Sequence, residues 1–182
     1  MVTSGGGWTV IQRRMDGSVD FYRGWEEYKR GFGNKEGEFW LGLDNIHSMT
    51  STRRYRVRFD MEDFEGNTCY AEYDDFRVDD EAAKYRLAAL GIFSGDAGNS
   101  FNSLVGQPFS TKDHDNDNRN FNCAQECQGG WWYKKCHNCN PNGLYLKGQY
   151  SLLARDGQGI VWKTWLGINY SLKRMEIKLR PY

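Results

Sequence analysis

From Arg54 to Met61 the chain alternates strictly, with Tyr55, Val57, Phe59 and Met61 apolar and Arg54, Arg56, Arg58 and Asp60 charged. A period of two predicts a strand with one core face and one wet face, as in an antiparallel sheet. The pattern returns at the end of the chain, where Lys173, Met175, Ile177 and Leu179 face away from Arg174, Glu176, Lys178 and Arg180. Gly7 to Arg14 reads as a first strand with Trp8, Val10 and Gln12 on one face. Thr68 to Phe76 reads as a partner strand reached through a turn at Glu65-Gly66-Asn67, with Cys69, Ala71 and Tyr73 sharing a face. Val19 to Gly31 is amphipathic at helical spacing, with Phe21, Trp25 and Tyr28 inward and Glu26, Glu27, Lys29 and Arg30 in water. Glu38 to Ser51 carries Trp40, Leu41, Leu43 and Ile46 and suits a second short helix entered near Asp44, on which His47 is a surface or packed residue without chemistry.

Tyr85 to Phe93 gives one more extended segment, and Gly91 to Gly106 is a Gly/Asn/Ser-rich crossing. Elements from both ends therefore close one sheet, and Ser94 to Asn169 is an excursion from it. The expected architecture is α+β, a central twisted antiparallel sheet with short helices plus a loop-rich lobe, in a single domain spanning 1–182. Its sheet part covers 5–93 and 170–181, and its lobe covers 94–169. The basic stripe of Arg54, Arg56 and Arg58 reads as a solvated face paired with the carboxylates of Glu62 to Glu65 and Glu72 to Asp80.

Composition sharpens this picture in three ways. A chain of 182 residues with formal net charge +0 can bury a real core and offers no electrostatic reason to bind nucleic acid or an anionic membrane. No apolar run approaches a membrane span, no signal peptide opens the chain, and Met1 to Ser4 reads as a remnant of cloning. Seven Trp and 21 Gly beside few aliphatics suit a compact, loop-rich domain with a core of large rings. With three His and neither a Ser/His/Asp arrangement nor a phosphate-binding loop, no catalytic machinery is expected.

The chemistry concentrates between Ser110 and Gly143, where hardly an aliphatic residue occurs. Asp113, Asp115 and Asp117, with Asn116 and Asn118, place short oxygen-bearing side chains where Ca²⁺ would find ligands. The opening resembles an EF-hand loop, but Asn118 stands where the sharp turn wants Gly and Ala124 where a bidentate Glu is needed. A solvated Asx-rich turn without an ion is the alternative. Cys123, Cys127, Cys136 and Cys139 fit either zinc, with four thiolates or three and His137, or two disulfides in one of three connectivities. The hard-ion loop beside them favours an oxidising compartment and disulfides, leaving Cys69 as an unpaired buried residue.

Several ordered motifs resemble the fibrinogen C-terminal domain family. They are Gly5 to Arg14 (GGGWTVIQRR), Asn122 to Ala124 (NCA), Gly129 to His137 (GGWWYKKCH), Asn142 to Tyr145 (NGLY), Gly159 to Trp165 (GIVWKTW) and Tyr170 to Pro181 (YSLKRMEIKLRP), which together cover essentially the whole chain. In kind the chain is similar to the ficolin- and tachylectin-like lectins that bind acetyl groups. The resemblance implies a central sheet domain with a smaller lobe, and one Ca²⁺ held there by Asp115, Asp117 and the backbone oxygens of Arg119 and Phe121, with Asp113 outside the first shell. It also implies a Cys123–Cys136 disulfide and a cis peptide at Lys135-Cys136 that aims backbone N–H groups and His137 into a ligand pocket. His137 and the Lys135/Cys136 backbone would donate to a ligand carbonyl, unless His137 only caps the disulfide turn.

Lectin members of the family have an aromatic residue four positions after the first lobe cysteine, where this chain has Cys127, and Cys127–Cys139 is read as an additional disulfide. They also have a Tyr-Ala pair where this chain's Leu152 to Gly159 loop offers Asp156 or Gly157. The expected ligand-binding set is thus Lys135, Cys136, His137, Cys127, Asp156 and Gly157. A pocket rimmed by Asp156 and Glu126 would favour a cationic group such as an amino terminus. The implied function is a secreted, calcium-dependent pattern-recognition lectin of innate immunity for acetylated glycans such as N-acetylglucosamine. The alternative is an extracellular module binding a receptor or peptide, as in the fibrinogen, tenascin or angiopoietin relatives. A site of this size binds weakly, at roughly millimolar to high micromolar Kd, so the full-length protein is expected to be oligomeric. Asn169-Tyr170-Ser171 is a glycosylation sequon at the entrance of the last strand.

Overall fold

The computed structural model describes residues 7–150 and 156–182. Gly5 and Gly6 of the opening motif and residues 152–155 of the lobe loop lie outside the described residues. In chain order the elements are β1 (Thr9–Arg14), α1 (Trp25–Arg30), β2 (Phe32–Gly33), β3 (Phe39–Trp40), α2 (Leu43–Thr52), β4 (Tyr55–Glu62), β5 (Thr68–Tyr73), β6 (Phe76–Val78), β7 (Leu87–Leu90) and β8 (Phe93–Gly95). After a 3₁₀ turn at Asn102–Leu104 come α3 (Cys123–Glu126), β9 (Cys139–Asn140), β10 (Gly148–Gln149), β11 (Val161–Trp162), α4 (Lys163–Leu166), β12 (Tyr170–Ser171) and β13 (Arg174–Pro181).

The main sheet has seven strands in the order β2-β3-β1-β13-β4-β5-β8, and β13 sits between β1 and β4 as the two alternating patterns require. Met175, Ile177 and Leu179 pair with Met61, Phe59 and Val57, and all six are buried. On the other face Lys178 lies 2.7 Å from Asp60 and 3.0 Å from Glu176, while Arg58 meets Asp60 at 2.8 Å. The basic stripe is therefore matched by carboxylates, as read. This face is less wet than the alternation suggests, with Lys178 3% and Asp60 6% exposed. On this face the Arg58 guanidinium stacks over the Tyr70 ring, 3.9 Å from its centroid.

Elsewhere the structure corrects the expected strands. A bulge between Val10 and Gln12 breaks the alternation of β1, so Ile11 enters the core while Gln12 and Arg14 are buried against the lobe. The segment Thr68 to Phe76 divides into β5 and β6, and Tyr85 to Phe93 yields only β7 before β8 joins the sheet edge. At the far end, Tyr170 and Ser171 pair with β10 in the lobe, and the main sheet resumes at Arg174. The sequon hydroxyl is buried there, where Ser171 Oγ donates to Leu144 and accepts from Leu146 and Ile160.

The core between sheet and lobe is built of rings. Trp131 and Trp132 lie 4.8 Å apart edge to face, and Phe101, Phe109 and Trp40 continue the cluster toward Tyr28 on α1. The indoles of Trp40, Trp132 and Trp162 donate to the carbonyls of Tyr28, Tyr85 and Gly98, whereas Trp131 Nε1 is buried with no hydrogen-bond partner among the described residues.

Glu38 anchors the turn that leads out of β1. Its carboxylate accepts the N–H groups of Met15, Asp16, Gly17 and Val19 and lies 3.9 Å from the Arg14 guanidinium. Arg14 in turn donates to the carbonyls of Pro141 and Gly143, so sheet and lobe share this buried pair. Glu38→Ala leaves Arg14 unpaired and four amides without an acceptor, and is expected to cost about 3–5 kcal/mol. Urea unfolding reads this directly; a loss below about 1 kcal/mol would show that the pair is not structural.

Candidate functional site

Two asparagines hold the lobe around one pocket. Asn140 Nδ2 lies within hydrogen-bond distance of the carbonyls of Cys127 (3.0 Å), Gly157 (3.1 Å) and Gly159 (3.2 Å), and its Oδ1 accepts from the Tyr133 hydroxyl at 2.6 Å. Asn142 Nδ2 donates to Gly130, while its Oδ1 accepts from Gln12 of β1. Both asparagines are buried. The contacts leave no space for side chains nearby, as a Cβ on Gly143 would stand 2.2 Å from the Gly159 oxygen and 2.5 Å from Asn140 Nδ2.

Cys123 and Cys136 form the expected disulfide, closing a loop over α3. That bond removes two thiolates from any zinc site. The expected second bridge is absent, because Cys127 and Cys139 are both free and buried. Their thiols face different surroundings: Cys127 lines the pocket, whereas Cys139 lies against Trp131 and near Tyr73 in the ring core. Burial pushes the Cys127 thiol up to about 12 and that of Cys139 higher still, so both stay protonated. Cys69 is free and buried, as read. The cis bond expected at Lys135-Cys136 is also absent, since every peptide among the described residues is trans. The turn is closed instead by the Lys134 N–H, which donates to the Cys136 carbonyl at 2.8 Å.

All six residues expected to bind ligand line one pocket of about 290 Å³. Lys135, Cys136 and His137 form one wall, Cys127 faces them, and Asp156 and Gly157 close the rim. Sequence reasoning missed two apolar contributors, the Phe121 ring and Ile168. Phe121 had been considered only for its backbone oxygen, and no periodicity marks Ile168. Within the wall, the amides of Lys135, Cys136, His137 and Asn138 donate to no acceptor among the described residues.

His137 is placed differently from its expected role. Its Nε2 lies 2.9 Å from the Gly157 carbonyl, so that nitrogen carries the proton and donates, and Nδ1 is left buried without a partner among the described residues. The ring proton is thus unavailable to a ligand carbonyl. Gly157 has φ +70°, and a Cβ there would meet His137 Nε2 at 2.9 Å, which explains glycine at this position.

The acidic loop separates its three aspartates. Asp113 turns away and caps α1, accepting from the Trp25 N–H at 3.0 Å and the Thr111 hydroxyl at 2.6 Å. Burial alone would raise its carboxyl, but these bonds hold it below the ordinary range. Asp117 accepts from the amides of Arg119 (2.7 Å) and Cys123 (2.8 Å) and lies beside Asp115. Burial and, less strongly, the Asp115 charge push its carboxyl above the ordinary range despite those two bonds. The carbonyls of Arg119 and Phe121 accept no hydrogen bond among the described residues. Two close carboxylates with two unengaged carbonyls form a donor set that suits a hard divalent cation.

Burial depresses the His137 imidazole to about 4, with the Lys163 charge adding to the effect and the Gly157 bond opposing it. The unfolded chain therefore binds the proton more readily, and the neutral ring's contribution to stability is present above the ordinary histidine range. That contribution is lost as pH falls from about 6.5 toward 4. Comparing urea unfolding of the wild type and His137→Gln, their stability difference should shrink across this window; a pH-independent difference would contradict the assignment.

The family model described as fibrinogen beta and gamma chains, C-terminal globular domain, matches residues 1–182. Techylectin-5A from Tachypleus tridentatus is 50% identical over 184 residues, covering 100% of this chain and 62% of the relative. Tenascin-R from Gallus gallus is 49% identical over 182 residues, again covering 100% of this chain but 13% of the relative. The chain thus spans less than two thirds of either protein. Among solved structures, the fibrinogen-like globe domain of human ANGPTL2 superposes with a TM-score of 0.95 at 45% identity, covering 99% of this chain and 82% of that one. A lamprey fibrin D-dimer complexed with the peptide Gly-His-Arg-Pro-amide gives 0.92 at 38% identity, covering 99% and 63%. By sequence along its whole length and by fold, the chain belongs to the fibrinogen C-terminal domain family.

Proposed function

We propose that this recognition domain is a secreted, calcium-dependent lectin that binds acetylated glycans such as N-acetylglucosamine in the pocket beside Cys123–Cys136. The role is non-enzymatic, in innate-immune pattern recognition. The observation that carries this reading is the pair of amides at Lys135 and Cys136, which donate to no acceptor among the described residues and belong to residues lining a pocket with Phe121 and Ile168. An acetamido group matches such a site. Its carbonyl oxygen accepts from the amides while its methyl packs on the ring, on Ile168 and on the protonated Cys127 thiol. His137 positions the wall through its bond to Gly157.

Asp115, Asp117 and the carbonyls of Arg119 and Phe121 would hold the calcium ion, which neutralises two neighbouring carboxylates. Arg119 and Phe121 also line the pocket. The same two residues therefore connect the cation loop to the ligand wall, which gives calcium dependence without contact between ion and ligand.

A second reading rests on Glu126 and Asp156, which stand at the pocket and form no ion pair among the described residues. Two unpaired carboxylates would receive the amino terminus or a basic side chain of a peptide, making the domain a protein-binding module.

Calorimetric titration separates the two. N-acetylglucosamine and sodium acetate should each bind saturably, at roughly millimolar to high micromolar Kd, and lose binding on chelation. If neither does so while Gly-His-Arg-Pro-amide binds, the peptide reading replaces the lectin. Calcium at a hundredfold excess over its Kd should raise Tm by about 5–10 °C in the wild type and not in Asp117→Asn. An equal rise in both would remove Asp117 from the cation site.

A further inference from the structure

Where the lobe meets the turn out of β1 lies a cleft of about 420 Å³, larger than the 290 Å³ pocket beside the disulfide. Val19, Phe21 and Tyr22 line it from the turn, and Leu144, Tyr145 and Leu146 line it from the lobe. Its volume falls within the ~300–1,000 Å³ of ordinary ligand sites, which favour seams between structural units.

Both walls are fixed before any ligand arrives. The Glu38 carboxylate accepts the amides of Met15, Asp16, Gly17 and Val19 on one side, and Ser171 Oγ bonds the Leu144 carbonyl and the Leu146 amide on the other. The Tyr145 hydroxyl joins the two, lying 2.9 Å from the Met15 carbonyl and 3.0 Å from that of Lys173. At Gly17, with φ +77°, a Cβ would stand 2.9 Å from the Tyr145 ring, so the turn can lie against the lobe only as glycine.

Each wall also carries main-chain groups that the fold leaves unused. The amides of Asp20, Phe21 and Tyr145 donate to no acceptor among the described residues, and the carbonyls of Val19 and Leu146 accept no hydrogen bond among them. An extended peptide supplies acceptors and donors together, as when a strand adds to a sheet edge. The charges decide which peptide fits. Arg14 and Asp20 are the charged residues lining the cleft. Arg14 is buried, donates to the carbonyls of Pro141 and Gly143 and has Glu38 3.9 Å away. Asp20 is exposed, and neither it nor Asp16 on the same turn forms an ion pair among the described residues. Lys112 Nζ, near the Tyr22 ring, is held by the Tyr22 carbonyl at 2.9 Å. The uncompensated charge of the lining is therefore the carboxylate of Asp20.

We propose that this cleft is a second recognition site, which takes an extended peptide segment of a partner protein with an apolar side chain next to a basic one. The apolar side chain packs between Val19 and Tyr22 on one wall and Leu144 and Leu146 on the other. The peptide main chain bonds to the unused groups, and the basic side chain meets Asp20. The proposal is independent of what the pocket beside Cys123–Cys136 binds.

The test is a ¹⁵N NMR titration of the calcium-loaded domain with pyroglutamyl-Leu-Arg-Leu-amide, against the same peptide with Glu in place of Arg. The pyroglutamyl end leaves the probe with neither a free amino terminus nor an acetyl group. The Arg peptide should shift the amides of Asp20, Phe21 and Tyr145 saturably and bind more tightly than the Glu peptide. Asp20→Asn keeps a side-chain oxygen for the Tyr22 amide, which Asp20 Oδ1 accepts at 2.8 Å, and should weaken the Arg peptide by about three- to fivefold. Asp75→Asn, outside the cleft, should not. No saturable shift in the cleft, shifts confined to Lys135–Asn138, an equal response to both peptides, or equal loss in both variants would each overturn the proposal, whether or not N-acetylglucosamine binds.

Discussion

One side-chain amide, that of Asn140, determines where the pocket lies. It ties the carbonyl of Cys127 after α3 to those of Gly157 and Gly159 in the returning loop, and its oxygen fixes Tyr133 at the start of the wall. A single neutral hydrogen bond contributes only about 1 kcal/mol net, but a buried carbonyl left without a donor costs more. Removing Asn140 would orphan several such groups together. Asn142 repeats the device and joins the lobe to Gln12 on the sheet, while Arg14 donates to the carbonyls of its neighbours Pro141 and Gly143. In a stretch with almost no aliphatic residues, these bonds and one disulfide do what apolar packing does elsewhere.

The arrangement explains how a loop-rich lobe can present a fixed recognition surface. The ring core under Trp131 and Trp132 supplies rigidity from below, and the asparagines set the spacing of loops above it. Backbone N–H groups that would otherwise be paired in regular structure have no acceptor among the described residues along Lys135 to Asn138. The acidic loop is linked to the same surface, because Arg119 and Phe121, whose carbonyls accept no hydrogen bond among the described residues, also line the pocket. The pocket and the acidic loop therefore share these residues.

Much of the sheet was legible in the sequence. Strict alternation in β4 and β13 predicted both strands and their inward faces, because a half-buried strand leaves a period of two in polarity. The bulge in β1 was invisible, since it places Ile11, Gln12 and Arg14 all in buried positions and polarity does not reveal a polar residue buried by hydrogen bonds. In the lobe, the family resemblance located the Cys123–Cys136 bridge and the residues that line the pocket. It did not reveal that Asp113 caps α1, that His137 donates to Gly157, or that Cys127 and Cys139 are both free. Each depends on side-chain direction across long sequence separations, for which spacing along the chain carries no signal.

The central claim is that a rigid wall in this lobe keeps its amides free for a ligand. Residue-resolved hydrogen exchange on the intact domain addresses it most directly. The account predicts that the amides of Lys135, Cys136, His137 and Asn138 exchange near their intrinsic rates while those of Asn118, Lys134 and Lys163, each bonded to a carbonyl within this segment, are protected. Strong protection at all four wall amides in the absence of ligand would mean that they have partners within the protein, and the recognition surface would have to be sought elsewhere.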